Sequence, residues 1–250
     1  MKLLVVVLCL LSERFLIHSI SYRRFIWFGD YCQRIIQLIE KNYYYTNPWL
    51  ILLSIIIPII LITTCIYGLL QGFLFGFGGL IFSIFLFFYC LGPKNAFYPV
   101  SDTNSETSNT ETVGNYFAIV NSQLFSVIFW YVISGPIAAL TYRLITLCRD
   151  VSTINQVSNE VSDLLEWIPA RITVLLFLIV GNFQRGFNLF TQFIASKPDL
   201  NNAMLRECGL QAVRSRDTDE VPMPVAETLV EHAAIVLLVF IALFTLLAWL

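Results

Sequence analysis

Charge is the scarcest ingredient of this sequence. Asp, Glu, Lys and Arg make up 13% of its 250 residues, about half the roughly 25% of an ordinary soluble domain. With 15 basic against 17 acidic residues, no excess of positive charge is present to attract nucleic acid. Histidine is nearly missing: His18 and His232 stand alone, too few and too far apart in sequence for a His-rich metal site. The six cysteines form no C-x-x-C pair, and Cys9, Cys65 and Cys90 lie within apolar runs where a thiol acts as a small hydrophobe. No G-x-x-x-x-G-K-[ST] loop, G-x-G-x-x-G turn, H-E-x-x-H pair or G-x-S-x-G elbow occurs. Hydrolase and metalloenzyme readings therefore have no signal, and no metal or cofactor is expected. Ionisable residues are also too sparse in the apolar stretches to relay ions as a pump would.

What the chain has instead is apolar length. Hydrophobic residues make up 57%, the mean hydropathy is +0.73, and no charged residue occurs from Asn42 to Pro93. As one straight helix that stretch would be about 78 Å long, against about 30 Å for a bilayer core. It must cross and return, as Pro48 to Leu70 and Gly72 to Gly92, with Pro58 a candidate kink and Gly72, Gly76 and Gly79 allowing close helix contact. Leu124 to Leu147, interrupted at Ser134-Gly135-Pro136, reads as a third span, and Ala233 to Leu250 as a fourth. The fold class is thus all-α: a polytopic helical membrane protein with about four transmembrane helices plus interfacial or re-entrant ones. Residues 1–250 form a single integral membrane domain.

Lys2 to Ile17 reads as a retained first segment, because no small-x-small cleavage pattern follows its apolar run. Ile172 to Ala195, broken by Asn182, Gln184, Arg185 and Gly186, either crosses or re-enters. Crossing gathers the basic residues on one side, which the positive-inside rule makes cytoplasmic. Residues 101–115, within which Asp102 to Asn115 is rich in Ser, Thr, Asn and Glu, are expected to form a mobile polar loop. Amphipathic stripes mark three connecting helices: Phe28, Tyr31, Ile35 and Ile39; Val151 to Ile168, ending at Pro169; and Asp199 to Val213. Arg143, near a span end, is expected to snorkel.

One constellation stands above this background: Asp163, Glu166, Trp167, Pro169 and Arg171. Pro169 should end one helix and open the next. Trp167 and Arg171 then fit as interfacial anchors, or the acids and Arg171 form a carboxylate–arginine clamp or a site for an anionic ligand.

These residues resemble the AmpE family, membrane relatives of the CobD/CbiB synthases of cobalamin biosynthesis. The pattern D-x-L-x-x-x-P-x-R is matched by Asp163, Leu165, Pro169 and Arg171, with Trp167 as the AmpE addition. Glu13-Arg14, Asn121 followed by Phe129-Trp130, and Gly135-Pro136 leading to Tyr142-Arg143 agree as well. Val120, Leu124 and Arg149 stand where the synthases carry acidic or amide-rich positions, which removes the carboxylates a nucleotide-activating ligase needs for Mg²⁺. The resemblance implies a multi-pass protein of the bacterial inner membrane that is non-enzymatic and signalling or scaffolding in role. It further implies a link to β-lactamase induction and muropeptide recycling. The partner it implies is the cytosolic amidase AmpD or another recycling protein; the lipid bilayer follows from the apolar length, and the Gly72/Gly76/Gly79 face offers contact with a second copy. The alternative is a CobD/CbiB-type synthase that retains Mg-nucleotide-dependent amide-bond formation. Asn121 and Arg143 join the five elbow residues as candidate ligand-binding or structural positions, and no catalytic residue is assigned.

Overall fold

The computed structural model describes residues 2–16, 25–40, 47–72, 77–91, 110–214 and 221–247. All regular structure among them is helical. The helices are α1 (Lys2–Leu16), α2 (Ile26–Glu40), α3 (Pro48–Gln71), α4 (Phe77–Cys90), α5 (Thr110–Val120), α6 (Ser126–Ser134), α7 (Pro136–Leu147), α8 (Asn155–Val180), α9 (Phe183–Phe193), α10 (Asn201–Val213) and α11 (Met223–Leu247). A π-helical turn, Asn121–Phe125, joins α5 to α6, so helical structure is continuous from Thr110 to Ser134. The chain divides into two compact units, Met1–Pro93 with Trp130–Ser162, and Lys94–Phe129 with Asp163–Leu250.

In the first unit α3 packs on α2, α4 and α7, and α4 also packs on α1 and α7. Asn47 starts α3: its side chain accepts the Trp49 N–H at 3.1 Å, with Pro48 at the first helical position. Pro58 is held inside an unbroken helix. Ile55, Phe87, Leu91 and Tyr131 fill the core, with the Phe87 and Tyr131 rings 4.5 Å apart. At the α3–α4 hairpin, a side chain at Gly79 would stand 3.2 Å from Gln71 Cγ, so this glycine serves contact within the chain. Gly76, its partner in the expected glycine face, lies outside the described residues.

In the second unit α10 is the hub, packed on α5, α9 and α11. The expected polar loop over 101–115 is corrected at its end. Residues 101–109 lie outside the described set, but the helix already begins at Thr110. Val113, Tyr116 and Phe117 are buried, and Gly114 lets the Arg206 side chain of α10 pass at 3.4 Å from where its Cβ would be. Tertiary packing on α10 thus overrides the polar composition of this tract.

Among the described residues, three helices are long and apolar enough to cross a membrane: Pro48–Gln71, Thr110–Ser134 and Met223–Leu247. The third expected span, Leu124 to Leu147, therefore shifts towards the N-terminus. Gly135, with φ of 88°, stops the helix, and the run before it is the longer one. The last span begins ten residues earlier than its uncharged stretch suggested, at Met223. The second expected span contains the 14-residue helix Phe77–Cys90, about 21 Å long.

Candidate functional site

The expected elbow is not formed. α8 continues through Pro169 to Val180, where the proline was expected to end one helix and start another. A proline removes one N–H and crowds the preceding turn, yet here Arg171 Nη1 donates to the Trp167 carbonyl at 2.7 Å, adding a bond beside the gap. The helix breaks instead at Gly181-Asn182, so Ile172 to Ala195 is two helices. Close packing explains the break. A Cβ at Gly181 would lie 2.3 Å from the Ala212 carbonyl oxygen, and the Asn182 N–H donates to that same oxygen at 2.8 Å.

From Ser162 onward α8 carries its polarity inward, whereas its first turns expose Asn155, Gln156 and Glu160. Glu166, Arg171 and Thr173 are buried, whereas Leu164, Ile168, Ile172 and Ile179 are exposed. Those exposed positions recur at helical spacing on one side. A helix in water has the opposite arrangement.

Arg171 is the centre of the buried face. Its Nε donates to the Ile194 carbonyl at 2.8 Å, and Nη2 reaches the carbonyls of Phe193 at 3.3 Å and Ser196 at 3.0 Å, with Ser196 Oγ at 3.3 Å. Nη1 is shared between the Trp167 carbonyl and Asn201 Oδ1, the latter at 3.1 Å. The guanidinium carbon lies 4.0 Å from the centroid of the Trp167 ring. All five N–H donors of an arginine thus face acceptors, and among the described residues none of these acceptors is a carboxylate. Three of the partners, Phe193, Ile194 and Ser196, are at or just beyond the end of α9, where orphan carbonyls and the negative end of the helix dipole favour a cation. Arg171 is a C-terminal cap delivered from another helix.

Trp167 and Asp163 belong to the same cluster by different routes. Trp167 Nε1 donates to the Ser196 carbonyl at 3.0 Å, which ties the indole to the end of α9. Asp163 contributes its backbone: Asn201 Nδ2 donates to its carbonyl at 2.7 Å. Asn201, buried at the start of α10, therefore links α8 to Arg171 through both ends of its amide. Neither Asn201 nor Ser196 stood out in sequence; their one signal was a place near the start of the third amphipathic stripe. Glu166 and Pro169 are buried on the same helix.

Asn121 forms a separate contact. Within the π-helical turn it is fully buried, and its Oδ1 accepts the Thr173 hydroxyl at 2.8 Å, while its Nδ2 has no partner. Arg143 lies in the first unit and does not snorkel. It is 3% exposed, and its Nε donates to the carbonyl of Cys90, the last residue of α4, at 2.8 Å. Its guanidinium carbon is 5.9 Å from the Phe25 ring centroid. Burying the charge is tolerable because it meets a helix C-terminus. Among the described residues, each unit thus has one buried arginine on a helix end. No protein-family model, curated protein or solved structure matches this chain.

Proposed function

We propose that this chain is a multi-pass protein of the bacterial inner membrane, of the AmpE type, with a signalling or scaffolding role rather than a catalytic one. It would act in β-lactamase induction and muropeptide recycling, with AmpD or another recycling protein as its partner. The observation that carries the reading is the state of Arg171, the arginine of the family-like pattern. Its donors are occupied by helix-end carbonyls and an amide, an arrangement that builds a rigid body and leaves no fork for an anionic substrate. A further feature supports it: from Ser162 onward α8 is apolar outward and polar inward, which with the three apolar helices supports placement in a bilayer.

The test is paired. Purified protein in lipid is assayed for Mg²⁺-dependent nucleoside triphosphate turnover, and a deletion strain is scored for β-lactamase induction with and without the restored gene. The reading predicts background turnover and an altered induction that the gene restores. Robust turnover abolished by Asp163→Asn would instead establish a synthase.

A further inference from the structure

A shallow cleft of about 510 Å³ lies along one flank of α9 in the second unit, lined by Asn182, Gln184, Arg185, Asn188, Gln192 and Gln211, with Leu189. It shares no residue with the Arg171 cluster. Its lining is unusual in kind: five side-chain carboxamides and a single full charge. Carboxamides offer both donors and acceptors, which suits hydroxyl and ester oxygens. One guanidinium suits one phosphate.

The adjoining flank of the same helix has the opposite character. Phe183 and Phe187 stack 4.9 Å apart at 20°, yet remain 48% and 39% exposed. Ile194, which caps α9, is exposed too, as are Ile172 and Ile179 on α8. The inner side is fixed: a Cβ at Gly186 would lie 2.1 Å from Leu178 Cδ2, and Phe190 is buried. α9 is tethered at both ends, by the Asn182 N–H to the Ala212 carbonyl and by the Arg171 cap. A rigid helix with one polar flank and one aromatic flank suits a membrane interface, with rings among acyl chains and amides among headgroups.

We propose that this cleft binds the headgroup of an anionic, polyhydroxylated phospholipid such as phosphatidylglycerol. Arg185 meets the phosphate, the carboxamides meet the glycerol hydroxyls and ester oxygens, and Phe183 and Phe187 pack on the upper acyl chains. A cationic choline headgroup finds neither an anion nor an aromatic cage in this lining. The inference rests on the membrane placement proposed above but not on the signalling role.

The test uses the full-length protein, delipidated in detergent, with binding measured by native mass spectrometry. The probes are short-chain phosphatidylglycerol, short-chain phosphatidylcholine and glycerol 3-phosphate. Phosphatidylglycerol is expected to bind, about tenfold more weakly to Arg185→Gln and more weakly also to Phe183→Ser/Phe187→Ser. Unchanged melting of Arg185→Gln, whose side chain is exposed, shows that the loss is local. Equal binding of both lipids, insensitivity to Arg185→Gln, or equally tight binding of glycerol 3-phosphate alone would overturn the site. Alkaline extraction of native membranes separates the two failures. Protein that stays in the membrane yet binds no phosphatidylglycerol refutes this inference only, and protein that washes off refutes the membrane placement.

Discussion

The guanidinium of Arg171 and the backbone of Ser196 meet at 3.0 Å across 25 residues of chain, and the Trp167 indole N–H shares the same carbonyl oxygen. One oxygen thereby joins α8 to the end of α9 through two donors. Replacing Arg171 by Lys keeps the charge but removes the planar fork, so several carbonyls lose their donor. Unsatisfied buried acceptors cost about 1–3 kcal/mol each. Arg171→Lys should lower stability by at least about 2 kcal/mol, read as a lower midpoint in thermal unfolding in micelles. A midpoint equal to the wild type would mean that the cap is dispensable.

Asn121 and Thr173 supply a cleaner energetic experiment. Thr173→Val leaves the Asn121 Oδ1 without its donor, and Asn121→Leu leaves the Thr173 hydroxyl without its acceptor. Either change alone should destabilise by about 1–3 kcal/mol, whereas the double change should recover much of the loss. Because Asn121 Nδ2 already lacks a partner, Asn121→Leu should be the milder single variant. Simple additivity in a double-mutant cycle would refute the coupling.

The break between α8 and α9 depends on space rather than on backbone conformation. An alanine at Gly181 drives its methyl into the Ala212 carbonyl, a backbone atom that cannot swing away. Gly181→Ala should cost about 1–3 kcal/mol through overpacking. Gly29→Ala, in helix α2 with nothing within 4 Å, should instead stabilise by about 0.4–1 kcal/mol. Equal stabilities of the two variants would argue against the tight junction.

Much of the helical layout was legible in sequence because apolar spacing is local. The stripe through Phe28, Tyr31, Ile35 and Ile39 lies on α2, where Phe28 is buried and the other three are half-buried. The expected helix over Asp199 to Val213 appears as α10, preceded by a short turn at Pro198–Leu200. The meeting of Trp167 and Arg171, four residues apart on one helix, was also readable. Their partners were not, since the acceptors of Arg171 include residues 22 to 30 positions away. Pro169 misled for a similar reason: a local rule predicts a stop, but α8 runs on with the proline buried inside it. Arg143 looked like a snorkelling cation because no local pattern reveals that a helix C-terminus waits at Cys90.

The placement of apolar faces in lipid has a direct chemical probe in the cysteines. Among the described residues Cys65 is exposed while Cys9, Cys32, Cys90, Cys148 and Cys208 are buried. Burial, with Glu207 adjacent, pushes the Cys208 thiol up to about 12, so at pH 7.5 it stays protonated and slow. Cys148 donates its S–H to Cys32, which holds the Cys148 thiol well above its usual value. Cys65 sits on α3 about 9 Å from the helix end, with open space around it in water but acyl chains around it in a bilayer. A charged, membrane-impermeant maleimide applied to both faces of native membranes should therefore label none of the six cysteines, and all six after denaturation in dodecyl sulfate. Rapid labelling of Cys65 in the native membranes, at the rate of a free aqueous thiol, would contradict the account.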